Sequence, residues 1–283
     1  MKPDIRQIIR TTDAYNFHSH TQFCDGRDTM AAMAAGALAA GMKHYGFSPH
    51  SPIPVESGCN MSREDVPAYL AEVDRLRREY EGRVSLYAAM EIDYLDTWGP
   101  ADDYFRSLPL DYRIGSVHFI PSLVNPGKEV DVDGRPSRFI EKLHSEFDDD
   151  IRYVADTFYA RSLRMIEAGG FDIIGHFDKI GFNASAFAPG IEDEPWYRQH
   201  IDDMIDALRV ADVVVEINTK AMLPNLDARP EDVAMHRPRL FPSPAVIKRL
   251  ADAGIPLAVN SDAHFASRIT AGREAALGIL RQR

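Results

Sequence analysis

The run Tyr15-Asn16-Phe17-His18-Ser19-His20 is a short β-rich stretch that ends in an HxH pair. On extended backbone, residues i and i+2 point to the same side, so both imidazoles can face one point at a strand end. The same arrangement recurs along the chain. His50 follows the apolar run 44–47, Glu91 lies at the end of the run 84–92, and His118 and His176 end the runs 112–119 and 171–177. Asp262 and His264 follow the run 256–260, and Asp25 sits in the loop after the first run. Nine imidazoles and carboxylates spread over six separate segments are more than one metal ion can use. They predict a site for two or three divalent ions at one end of a barrel.

Seven strand-like runs (15–18, 44–47, 84–92, 112–119, 171–177, 213–217 and 256–260) alternate with stretches of helical spacing. The helical stretches are 30–40, 63–80, 101–107, 151–168, 196–211, 244–253 and 267–280. This alternation predicts parallel βα units. A doubly wound sheet would gather its chemistry at one switch point. Here such residues follow strand after strand, which fits the C-terminal face of a barrel. The expected fold class is therefore α/β, a distorted seven-stranded (β/α) TIM-like barrel. Gly169-Gly170 and Ala253-Gly254 read as helix stops, and Ser62 before Arg63-Glu64-Asp65 as a helix start. The stretches 121–150 and 183–195 break the rhythm and read as long loops, the first lying over the active face. No repeat or linker divides the chain, so residues 1–283 read as one domain.

The composition narrows the function. With 32 basic and 43 acidic side chains the formal charge is −11, which disfavours a nucleic-acid or anionic-membrane surface. An anionic small substrate remains compatible, because clustered metals supply positive charge locally. Cys24 and Cys59 form no CxxC pair, and the N-terminus has no apolar signal core. No apolar run is long enough to span a bilayer. A cytoplasmic setting is expected. The motifs of P-loop, serine-hydrolase, zincin and dinucleotide-binding proteins are absent from the sequence.

Some positions carry more weight than others. An HxH pair or a single histidine on an apolar run is more often structural than ligating, and Asp25-Gly26 alone is an ordinary turn. It is their shared level at successive strand ends that shifts the balance. Asp93 points to the same side as Glu91 and is placed to orient a ligand histidine. Glu216 and Asn218 end the sixth run with groups for substrate or for ligand histidines. His44, His144, His200 and His236 receive no chemical role.

HSHTQFCDG at 18–26, the His50 loop, Glu91, His118, IGHFD at 174–178, EIN at 216–218 and SDAH at 261–264 resemble the polymerase-and-histidinol-phosphatase (PHP) superfamily. Within it they are most similar to the histidinol-phosphate phosphatases. The resemblance implies a PHP-type barrel with a trinuclear centre of zinc, manganese or iron. By position, it implies that His18, His20, Glu91 and Asp262 hold the first metal. Glu91 then bridges to a second, shared with His118 and His176, while Asp25, His50 and His264 hold a third. It also implies a metal-dependent phosphomonoesterase that converts L-histidinol phosphate to L-histidinol in histidine biosynthesis. The implied attack on phosphorus is by a hydroxide bridging the first two metals, with its water acidified from 15.7 toward about 7. Six positive charges against Asp25, Glu91 and Asp262 leave about +3, which attracts a phosphate dianion.

The sequence departs from the family in its phosphate clamp. Many relatives carry arginines shortly after the fifth- and sixth-strand motifs, where this chain has Lys179 and Lys220. These two lysines are expected to supply the charge as point contacts, with Arg27 and Arg161 as further candidates. The expected partner is a small phosphorylated metabolite, and the oligomeric state is left open. Alternatives are a PHP phosphoesterase acting on a nucleotide or another metabolite, and an amidohydrolase in which Glu91 replaces the usual bridging lysine. A polymerase-type nuclease is disfavoured by the acidic charge.

Overall fold

The computed structural model describes residues 2–225 and 228–282. Helix α1 (Ile5–Thr11) precedes strand β1 (Tyr15–Asn16). Then come α2 (Met30–Ala39), β2 (His44–Phe47), α3 (Val66–Glu79), β3 (Ser85–Asp93), α4 (Asp103–Ser107) and β4 (Tyr112–Ser116). Strands β5 (Phe119–Pro121) and β6 (Glu129–Asp131) form a hairpin, followed by α5 (Pro136–Glu146) and α6 (Ile151–Ala168). The chain continues through β7 (Ile173–Ile174), α7 (Ile180–Phe187), α8 (Pro195–Val210), β8 (Val214–Asn218) and α9 (Pro230–Met235). It ends with α10 (Pro244–Asp252), β9 (Leu257–Asn260) and α11 (Arg273–Arg281).

Seven strands form one parallel sheet in the order β1-β2-β3-β4-β7-β8-β9. Its two edges meet just beyond the strands. Ser19 bridges to Ala263 in parallel, and the His20 N–H donates to the Ala263 carbonyl at 2.9 Å. The result is a nearly closed barrel, and the seam brings the residues after β1 against those after β9. Strands buried on both faces are the mark of such sheets; β8 is buried along its whole length. Tyr15, Phe17, Tyr112, Ile114, Ile173 and Val214 fill the interior. Ile5, Ile8 and Ile9 of α1 pack against the same cluster at the N-terminal end. Outside, α6 turns Val154, Ala155, Phe158, Tyr159, Ser162 and Met165 inward, the three-and-four spacing of one helical stripe.

Three expectations change. The run 112–119 divides, because β4 ends at Ser116 and β5 turns away to pair with β6. The stretch 121–150 is not a loop: it holds β6 and α5, whose buried Phe139, Leu143 and Glu146 repeat at helical intervals. Pro126-Gly127 and Asp133-Gly134 are turns between these short elements. Much of 183–195 is likewise helical, since α7 runs to Phe187 and a 3-10 turn covers Ile191–Asp193. No helix among the described residues is long and apolar enough to cross a membrane.

Gly46 in β2 allows the interior to close. A methyl group on it would lie 1.7 Å from the hydroxyl of the buried Tyr112, which donates to the Phe17 carbonyl. Gly46→Ala is therefore expected to destabilise the barrel by about 3 kcal/mol through overpacking. Thermal melting of the purified variant checks this, and an unchanged midpoint would contradict the packing.

Candidate metal centre

The C-terminal ends of the strands converge on one cluster. Glu91, near the end of β3, divides its two oxygens between two groups of histidines. Its Oε2 lies 3.2 Å from His18 Nε2, 3.5 Å from His20 Nε2 and 3.2 Å from His50 Nδ1. Its Oε1 lies 2.9 Å from His176 Nε2 and 3.3 Å from His118 Nε2. Asp262 Oδ1 is 3.0 Å from His20 Nε2. Nearer the mouth, Asp25 Oδ2 lies 3.1 Å from His264 Nε2, and Asp25 Oδ1 lies 3.3 Å from His20 Nδ1. All nine groups singled out in the sequence are thus brought together. His20 stands between the His18–Asp262 group and the Asp25–His264 group.

Local backbone explains several of these placements. Asp262 has φ of 49°, a left-handed conformation that Asp tolerates better than most residues and that active sites often retain. The loop after His20 folds back so tightly that a Cβ on Gly26 would sit 2.2 Å from the Thr21 nitrogen. Only glycine fits there, and the turn brings Asp25 beside His264.

The donor set fits metal ions. The Nδ1–H of His18 faces Glu216 Oε1 at 2.7 Å, and that of His118 faces Asp93 Oδ1 at 2.6 Å. Each carboxylate holds the Nδ1 proton, so the neutral ring turns its Nε2 lone pair toward the cluster. Those Nε2 atoms meet other imidazole nitrogens, His20 Nε2 at 3.2 Å and His176 Nε2 at 3.4 Å. Where the neutral rings of His20 and His176 also turn a lone pair that way, a cation between the paired nitrogens holds them together. Glu216 is itself held by Asn218 and Asn260 at 3.0 and 3.1 Å, and Ser116 donates to Glu91 at 2.7 Å. Asp25 Oδ1 and His50 Nδ1 are buried without hydrogen-bond partners among the described residues.

The electrostatics show the same demand for positive charge. Burial works to lower the pKa of His18, yet Glu216, Glu91 and Asp262 push it up to about 10. Burial works to raise that of Glu91, but His18, His118 and His50 hold it well below the carboxylate range. His264 moves the other way, to about 4, through burial and then the charge of Lys220.

Above the cluster opens a cavity of about 620 Å³. Lys179, Lys220 and Arg27 line it. Lys220 Nζ lies 3.2 Å from Asp262 Oδ1, and Lys179 Nζ lies 2.6 Å from Asp133 Oδ2. The structure does not bring Arg161 there. Its buried guanidinium, on α6, binds Glu129 and Asp96 and the Phe119 carbonyl, so it ties the β5–β6 hairpin to the barrel. Arg161→Met is expected to cost about 3 kcal/mol by stranding these acids, with little change in substrate KM. Denaturant melts and steady-state rates test the two halves separately.

The sequence reading missed part of the wall. Arg135, Arg138, Asp133, Asp232 and His236 also line the cavity. The first three come from the stretch read as a loop. The Asp232/His236 pair is spaced i, i+4, a one-turn signal obscured by the shortness of α9.

The fold and the donor set together define a class: a parallel barrel with metal-binding groups at its strand ends. The chain matches the PHP domain over residues 16–220 and belongs to that family. A protein of Deinococcus radiodurans named a probable histidinol-phosphatase is 27% identical over 265 residues, 87% of this chain and 85% of that protein. Two solved structures share the fold. The protein hisK of Listeria monocytogenes superposes with a TM-score of 0.78 at 17% identity, over 92% of this chain and 99% of that one. Histidinol phosphate phosphatase of Lactococcus lactis, solved with zinc, L-histidinol and phosphate, gives 0.66 at 18% identity, over 95% of this chain and 93% of that one.

Proposed function

We propose that this chain is a metal-dependent phosphomonoesterase that hydrolyses L-histidinol phosphate to L-histidinol and phosphate. The observation that carries the reading is the convergence of nine imidazoles and carboxylates on the floor of a cavity that Lys179 and Lys220 also line. His18, His20, Glu91 and Asp262 would hold one divalent ion, Glu91 with His118 and His176 a second, and Asp25, His50 and His264 a third. Zinc, manganese and iron all suit such nitrogen and oxygen donors. Bound there, the ions supply Lewis acidity toward phosphoryl oxygens and acidify water enough for attack at neutral pH.

The protein's own groups prepare the site. Glu216 and Asp93 hold the Nδ1 side of His18 and His118, so Nε2 is the nitrogen each ring turns toward the cluster. The ammonium groups of Lys179 and Lys220 draw the phosphate dianion into an otherwise acidic chain. Their partners, Asp133 and Asp262, fix where those charges stand. With residues 1–283 acting as one domain, the reaction would take place in the cytoplasm, where Cys24 and Cys59 stay reduced.

The test is a phosphate-release screen on protein reconstituted with manganese, zinc or iron. It compares histidinol phosphate with nucleotides and sugar phosphates. Histidinol phosphate is expected to give the highest kcat/KM; a marked preference for a nucleotide would overturn the substrate while leaving a phosphatase.

A further inference from the structure

We propose that Asp232, with His236 one turn beyond it, receives a protonated nitrogen carried by the leaving alcohol of the substrate. This rests on the phosphatase reading and names the feature of the ester that the cavity selects. Asp232 is only 5% exposed and lines the cavity. Its Oδ1 accepts from the backbone N–H of Ser137 at 3.3 Å, while its buried Oδ2 has no hydrogen-bond partner among the described residues. Nε2 of His236, lining the same cavity, is also buried without a hydrogen-bond partner among the described residues. Burial, and then Arg237, lower the His236 pKa, so the ring is neutral and can offer that nitrogen as an acceptor.

The neighbouring acids are already committed. Lys142 holds Asp131 and Lys179 holds Asp133. Arg135 and Arg138 line the cavity too, but neither hydrogen-bonds Asp232. Asp232 is thus a buried carboxylate on this wall with no ion-pair partner among the described residues, an arrangement that costs free energy until a positive group arrives. The cavity is bipolar: lysines and metal-binding groups suit a phosphoryl group, and Asp232 suits a cation on the alcohol. A plain alkyl phosphate would leave Oδ2 unpaired, and such a mismatch discriminates strongly.

The experiment measures kcat/KM of the manganese-loaded protein for L-histidinol phosphate and for n-propyl phosphate, in the wild type and in Asp232→Asn. Asparagine keeps the Oδ1 acceptor for Ser137, so the fold has its anchor. The wild type is expected to prefer the nitrogen-bearing ester by more than about tenfold, and the substitution to reduce that ratio by about tenfold, through KM. A ratio that does not move, whether both constants fall together or neither falls, overturns the proposal. Equal constants in the wild type overturn it without any variant. Cleavage of histidinol phosphate with the ratio unmoved removes the Asp232 subsite and leaves the phosphatase standing. Preference for another amine-bearing ester, lost in Asp232→Asn, removes histidinol phosphate and leaves the subsite standing.

Discussion

Glu91→Gln is expected to lower kcat/KM for phosphate release by about a thousandfold, roughly 4 kcal/mol of transition-state stabilisation, and to lose bound metal with it. Glutamine has the same shape, so the barrel keeps its packing. The carboxylate works because its two oxygens serve separate groups, His18, His20 and His50 on one side and His118 and His176 on the other. An amide keeps one acceptor and turns the other into a donor aimed at imidazoles. One half of the cluster must then lose its carboxylate. Metal content by mass spectrometry, read beside activity and circular dichroism, separates this from misfolding. A folded variant with full metal and normal turnover would remove Glu91 from the centre.

Stripping the metal is expected to abolish activity and lower the melting temperature, with both restored by manganese, zinc or iron. Ions that bind only the folded chain stabilise it by about 4 kcal/mol when free metal is about a thousandfold above Kd. The pH dependence has a definite sign. With its pKa pushed up to about 10, His18 carries a proton at neutral pH in the metal-free chain. A metal must displace that proton, so uptake at neutral pH releases protons, and affinity falls as the pH is lowered. Calorimetry in two buffers of different ionisation enthalpy reads the number released. No release, together with activity that survives chelation, would refute the metal dependence.

The sequence revealed the barrel and its floor for one reason. A strand end is a point where apolar periodicity stops and a polar residue follows, and both features are local. His18, Glu91, His118 and His176 could therefore be read one segment at a time. What covers the barrel could not. Strands β5 and β6 have three residues each, too few to show alternation, and the helix α5 lies between turn dipeptides that suggest a loop. Arg161 misled because a buried guanidinium and a substrate-binding one look alike until their partners are seen. Asp232 and His236 were hard to read because what sets them apart, one buried polar atom each without a hydrogen-bond partner among the described residues, exists only in three dimensions. Asp93 and Glu216 were half legible: the pleat placed them beside ligand positions but could not say which imidazole each would hold.

The seam between the segments after β1 and β9 bears on how the protein folds. His18 and His20 precede Asp262 and His264 by nearly all the strands of the barrel. A chain that has formed most of the sheet still cannot bring these four groups together until the segment after β9 docks against the segment after β1. Docking of that seam is therefore expected to be the folding step that assembles the cluster.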